Sequence, residues 1–227
     1  MTLGLPGPHP SPPSDLHSRK LPVRQFEGEC YRTYELGNDP VFFGRSGTKR
    51  FDDPYGQYGV LYAARDAYGS FIETFGQLRS HLISSSELKR KGLASLVARR
   101  PLTFVDLAEP GGLARANADS RLFAGDYDIA QLWSRAFYEY PLVRLDGILY
   151  PARHDQTRVS IAVFDRAEGI ELTDRQSWYE DSGQEGKSLR LMLGDILDHY
   201  GFRLIETVAR PQKKGPGRST QSSFTFD

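Results

Sequence analysis

Arg32, Arg50, Tyr62, Glu73 and His154 are side chains whose types could do chemistry, if the fold brings them together. A guanidinium clamps a carboxylate or phosphate through two parallel hydrogen bonds, and a carboxylate stabilises a centre that becomes cationic. Arg32 lies in Glu29–Leu36, which alternates as a strand and sets it on one face with Cys30 and Tyr34. A half-buried arginine there needs an anion, either a carboxylate of its own chain or a ligand phosphate. Phe42–Lys49 (FFGRSGTK) is a glycine-containing loop whose Arg45 and Lys49 lead into Arg50. Such a basic loop can cradle phosphate on backbone amides, although it does not match a P-loop. Periodicity alone makes Glu73 a solvated helix position and Tyr62 an ordinary strand tyrosine. His154, beside Arg153, could serve as acid or base, but it has no partnered ligands and reads equally as a hydrogen-bonded loop residue.

These residues must be positioned by the elements around them. Asp52, Asp53, Pro54 and Gly56 give turn chemistry, and Tyr58–Ala64 is an apolar run of strand length. Asp66 is the expected N-cap of a helix carrying Phe71, Phe75, Leu78 and Leu82 on its core stripe, with Glu73 and Gln77 off it. Leu88, Leu93, Leu96 and Val97 within Ser84–Arg100 predict a short amphipathic helix, and Leu102–Leu107 a strand. Ile129, Trp133, Phe137 and Tyr140 share a second helical face behind an Asp126 or Asp128 cap. Val143–Arg153 predicts two short strands around Asp146-Gly147, and Arg158–Phe164 one more. A last helix carries Leu189, Met192, Leu193, Ile196 and Tyr200, with Gly201 at its C-terminal cap and a strand over Phe202–Ala209. Strands in separate groups, joined by loops of uneven length, predict an α+β fold.

At 227 residues the chain suffices for one large domain. The expected division is a proline-rich arm (1–24), a domain (25–209) and a basic tail (210–227) without apolar period. Lysine plus arginine equal aspartate plus glutamate at 29 each, so nothing draws the whole chain toward nucleic acid or an anionic membrane, and any anion site must be local. Cys30 is the single cysteine, which excludes an intrachain disulfide and a cysteine-rich zinc cluster. No apolar run approaches the roughly 20 residues of a membrane span, and a cytoplasmic location is expected.

Five pieces in order resemble the RES family, named for an arginine, a glutamate and a serine: Tyr31-Arg32, Arg50-Phe51, Tyr62, Glu73 and Asp146-Gly147-Ile148-Leu149-Tyr150. The resemblance runs from about Cys30 to Phe164, and Gln131 lies near a glutamine common in the family, while its place in the sequence reads equally as a surface position. At the serine the sequence departs, because Tyr150-Pro151-Ala152-Arg153-His154 places Ala152 there. Characterised members degrade NAD and often act as toxins paired with antitoxins. The resemblance therefore implies a split, mostly antiparallel sheet with flanking helices, similar to diphtheria-toxin-like ADP-ribosyltransferases, with NAD in the cleft between half-sheets. It implies cleavage of the nicotinamide to ribose bond by water or inorganic phosphate, with Glu73, Arg32 and Tyr62 catalytic and Arg32, Arg50, Tyr62 and Ala152 contacting NAD. NAD is then a substrate, phosphate a potential co-substrate, and neither a metal nor another cofactor is called for. An antitoxin is the expected partner. Transfer of ADP-ribose to a protein, or a dead module that only binds NAD, would share most of this site.

Overall fold

The computed structural model describes residues 7, 9–167, 169–179 and 183–206, with side chains from 192 onward in the last stretch. The expected basic tail and the end of the strand predicted over Phe202–Ala209 lie outside these residues.

Eight strands form one sheet: β1 (Val23–Phe26), β2 (Glu29–Glu35), β3 (Val60–Ala64), β5 (Lys91–Ala98), β6 (Leu102–Asp106), β7 (Gly147–Pro151), β8 (Val159–Phe164) and β9 (Ile170–Ser177). Their order across the sheet is β1-β6-β7-β8-β3-β2-β5-β9, antiparallel throughout except for the parallel β6–β7 pair. A separate parallel pair joins β4 (Leu82–Ser84) to β10 (Arg203–Ile205). The mixed architecture is thus the expected α+β. The two expected half-sheets are hydrogen-bonded into one, and the division survives as a seam: β2 and β3 meet only where Tyr31 faces Ala64, whereas β2 pairs with β5 along its whole length. Two strands that diverge after one pair leave a wedge between them, and that wedge positions the site.

The helix α1 (Ala67–Phe75) follows β3 because Asp66, in extended conformation, accepts a hydrogen bond from the Gly69 amide at 2.7 Å. Its buried Phe71, Ile72 and Phe75 lock it over the seam, and Ser70 ties it to β2 by accepting from the Thr33 amide at 2.6 Å. It ends at Phe75 rather than running on to Leu82. Any side chain at Gly76 would place its Cβ 2.7 Å from the His154 ring, and Leu82 instead begins β4.

The helix predicted within Ser84–Arg100 is mostly strand. Only α2 (Ser85–Leu88) is helical, and β5 lies between β2 and β9, covered on both faces, so Leu93, Ala94 and Leu96 are all buried and no period of two survives. The second strand expected before Asp146 is also absent. Asp146 receives Arg100 and the Thr103 amide, which binds this segment to β6 from the side instead of folding it into a hairpin. Gly147 then enters between strands where a Cβ would lie 2.1 Å from the Ala162 carbonyl oxygen, a gap open only to glycine.

Two short helices, α3 (Gly112–Ala116) and α4 (Arg121–Ala124), lead to α5 (Tyr127–Tyr138), whose Trp133 and Phe137 are wholly buried against the β7 side of the sheet. The proline-rich arm lies over α5: the Trp133 indole donates to the Pro10 carbonyl at 2.9 Å, and Leu16 and Leu21 are buried in the same cluster. The last helix, α6 (Gly183–Tyr200), closes at Gly201, whose φ of +68° suits the left-handed cap predicted for it. None of the described helices is long and apolar enough to cross a membrane.

Candidate active site

The wedge at the β2–β3 seam opens into a cleft of about 720 Å³, within the range of roughly 300–1,000 Å³ common for ligand sites. Arg32, Arg50, Tyr62 and Glu73 all line it, together with Lys49, Tyr127, Tyr150, Arg153 and His154. Four predicted site residues from four separate elements therefore converge.

Arg50 is the least ordinary of them. Its side chain is buried, its Nη1 donates to the carbonyls of Leu122 and Gly125 at 3.2 and 3.0 Å, and its guanidinium lies 4.5 Å from the centre of the Tyr127 ring. Its Nη2 is buried without a partner, and no carboxylate forms an ion pair with it among the described residues. A buried cation with an open donor and no counter-ion is costly unless a ligand anion completes it. Desolvation accordingly lowers the Arg50 pKa, partly offset by the charge of Glu73 across the cleft.

The loop bearing Arg50 is held from both sides. The Tyr62 hydroxyl donates to Asp52 Oδ1 at 3.0 Å and accepts from the Phe51 amide at 2.9 Å. Gln131 Nε2 donates to the carbonyls of Gly47 and Lys49 at 2.8 and 2.9 Å, and Ser134 Oγ to that of Phe51 at 2.7 Å. Gln131 is thus a buried clamp rather than a surface residue, and Tyr62 spends its polar end on the loop while its ring faces the cleft. Arg45, by contrast, is engaged by Asp165 and the Gln57 carbonyl and does not line the cleft.

Arg32 is half-buried and donates to the Phe42 carbonyl at 2.9 Å. It forms no ion pair among the described residues, so the intramolecular salt bridge left open by the sequence is not made, and its fork stays available to a ligand. Burial lowers its pKa, against a raising influence from Asp39. Arg32→Lys, which keeps charge and loses the planar fork, should weaken binding of an anionic ligand such as NAD by about 1–3 kcal/mol in calorimetry while leaving thermal stability near wild type. A fall in stability at unchanged affinity would return Arg32 to a structural role.

Glu73 projects from α1 into the open cleft, and its Oε1 accepts from the Arg153 amide at 2.7 Å. The cleft walls displace much of the surrounding water, and this desolvation raises its pKa, opposed by the Arg153 amide, Arg50, Ser160 and the Arg153 charge. Burial and then Arg153 lower the pKa of His154, which packs on the end of α1.

Three further groups belong to the surroundings of Glu73 and Arg50, and two of them, Tyr127 and Ser160, had no reading from sequence at all. Tyr150 is buried, 4.8 Å ring to ring from Phe51, with a hydroxyl whose pKa is raised first by burial and then by Glu73. Tyr127 carries Arg50, and Ser160 sits directly across from Tyr150 on β8. Tyr150 belongs to the Asp146–Tyr150 piece of the family resemblance; a lone serine in VSIAVF carries no signal until the register is known.

Ala152 does not line the cleft. It is fully buried in the cluster that includes Ala67, Phe71 and Trp178, although Pro151 and Arg153 on either side reach the cleft wall. Ala152→Ser should therefore cost about 1–3 kcal/mol of stability for an ill-matched hydroxyl and leave NAD affinity within about twofold, measured by thermal unfolding and calorimetry. A several-fold gain in affinity would show that the hydroxyl reaches the ligand.

The RES domain model matches residues 29–182, a span that includes every cleft residue named above. No curated protein matches the chain. Among solved structures, the chain is similar to one in the crystal structure of the M. tuberculosis MbcT–MbcA toxin–antitoxin complex, with a TM-score of 0.53 and 17% identity, over 74% of this chain and 92% of that one. At that identity the likeness is one of fold.

Proposed function

The chain belongs to the RES domain family, and from that premise we propose that it cleaves the bond between nicotinamide and ribose in NAD. The observation that carries this reading is the pairing, in one cleft, of a buried guanidinium with an open donor and no counter-ion, Arg50, with a carboxylate held on a backbone amide, Glu73. A substrate that satisfies both must offer an anion to the first and developing positive charge to the second. NAD does so: its pyrophosphate suits Arg50 and Arg32, and its ribose becomes cationic as the glycosidic bond breaks.

In that step the bond's electron pair leaves with nicotinamide, which departs neutral, and the charge appears on the ribose. Glu73 stabilises this oxocarbenium-like state electrostatically, held toward it by the Arg153 amide. Water or inorganic phosphate then adds to the same carbon, giving ADP-ribose or its 1-phosphate. Tyr62 contributes a rigid wall and fixes the Arg50 loop through its hydroxyl. Tyr150 and Tyr127 supply further aromatic surface for the ring of the leaving group.

The seam between β2 and β3 supports the similarity to diphtheria-toxin-like ADP-ribosyltransferases that the family resemblance implied, since it divides the sheet where the cleft opens. The M. tuberculosis structure holds a toxin with its antitoxin. By analogy this chain acts as a toxin that depletes NAD, restrained by a cognate antitoxin that covers the cleft.

The test is incubation of purified protein with labelled NAD, with and without phosphate, and chromatography of the products. Free nicotinamide with ADP-ribose identifies hydrolysis, and with ADP-ribose 1-phosphate, phosphorolysis. Label carried onto macromolecules would instead assign a transferase, and intact NAD would contradict the reading.

A further inference from the structure

We propose that Ser160 is a positioning residue for the glutamate of the site: its hydroxyl donates to the Glu73 carboxylate and holds it in place opposite the Arg153 amide. In kinetic terms this deepens the NAD-cleavage reading and rests on it, while the hydrogen bond itself stands apart.

The argument starts from the register. Tyr150 on β7 lies directly across from Ser160 on β8, and Tyr62 on β3 directly across from Ala162, so Ser160, two residues from Ala162, shares the cleft face with both tyrosines. Ser160 itself is 1% exposed and forms the floor under that face. Its Oγ makes no hydrogen bond of ordinary geometry, which makes it, with Arg50 Nη2, one of very few buried polar atoms so placed among the described residues. Buried hydroxyls are nearly always satisfied, so an open one beside a site has a use to be found.

Two groups of the cleft wall can use it, the hydroxyl of Tyr150, directly across from it in the sheet, and the Glu73 carboxylate, which lines the same cleft as Tyr150 and feels Ser160 electrostatically. Tyrosine brings a donor of its own, whereas an ionised carboxylate only accepts and binds a donor more strongly for its charge. The stable arrangement is therefore a chain: Tyr150 donates to Ser160 Oγ, and Ser160 donates to Glu73. With the Arg153 amide already on Oε1, the carboxylate is then fixed by two donors from different strands' ends, which removes the freedom of a side chain otherwise open to the cleft. The charged and titratable groups facing Glu73 are Arg50 from its loop, Arg153 after β7 and Tyr150 on β7, and Ser160→Ala leaves all three in place.

The deciding experiment is a ¹³C NMR titration of the Glu73 side-chain carboxyl, assigned by its loss in Glu73→Gln, in wild type and in Ser160→Ala. Loss of a donor to the ionised form must move the carboxyl titration to higher pH, and Ser160→Thr, which restores a hydroxyl, must bring it back toward wild type. An unchanged or lowered titration in Ser160→Ala overturns the proposal whether or not the protein cleaves NAD. In kinetics, kcat for nicotinamide release should fall about threefold to tenfold in Ser160→Ala with KM unchanged, and the acid limb of the rate profile should shift upward with the titration. Absence of nicotinamide release from wild type would contradict the function proposed above and leave the NMR result to decide Ser160 alone.

Discussion

Glu73→Gln should yield a folded protein that still binds NAD and releases nicotinamide on the order of a hundredfold more slowly or slower still, the scale of losing one preorganised electrostatic stabiliser. The amide keeps the shape and can still accept from the Arg153 amide, so the local structure persists. Stability supplies a control with a definite sign. Burial raises the Glu73 carboxyl, so the folded protein holds that proton more tightly than the unfolded chain does. Its contribution to stability is then present at low pH and lost as pH rises through the raised value. At neutral pH the glutamine variant should melt at or above the wild-type temperature. The rate has the opposite dependence, because the chemistry needs the carboxylate: kcat/KM should fall as pH drops, with its limb above the ordinary glutamate value of 4.5. Near-normal turnover in a folded Glu73→Gln protein would return this residue to a solvated helix position.

Arg50→Met should raise the Kd for NAD by about 2–4 kcal/mol, on the order of 30-fold to 1,000-fold. Methionine matches the length of the arginine stem and removes a buried charge that has no counter-ion among the described residues, so stability should change far less than affinity. Some loss is expected from the carbonyls of Leu122 and Gly125, which give up their donor. Arg50→Lys separates the effects: it retains charge without the fork and should fall between wild type and Arg50→Met in affinity. Calorimetry alongside thermal unfolding reads both quantities. Unchanged affinity in Arg50→Met would mean that the open Nη2 does not face the ligand's anion.

The legible parts of this fold were those decided locally. Asp66 caps α1 as its side chain requires, Phe71 and Phe75 turn to the core, and Gly201 ends α6. What failed was decided by neighbours far away in sequence. Leu93, Leu96 and Val97 looked helical because β5 packs into core on both faces, Leu93 in one cluster and Leu96 in another, and loses the alternation that betrays a half-exposed strand. Glu73 shows why periodicity could not separate a site from a solvated surface. The side of α1 away from the core stripe is also the side that looks into the cleft, and only the divergence of β2 from β3 makes it a cleft wall. Gln131 and Ser160 were illegible for the same reason, since one gains its role from the Gly47–Lys49 loop and the other from Tyr150. Ala152 shows the reverse case, a position aligned to a named serine whose side chain the β7 end turns into the core.

The most direct measurement is the rate of nicotinamide release from NAD by the purified protein, followed beside Glu73→Gln at NAD concentrations that calorimetry shows to saturate both. Release by wild type that drops at least about a hundredfold in the variant, with both proteins saturated, is the expected result. Saturated wild-type protein that releases no nicotinamide, or releases it at the same rate as Glu73→Gln, would contradict the assignment of this cleft as a site of NAD cleavage.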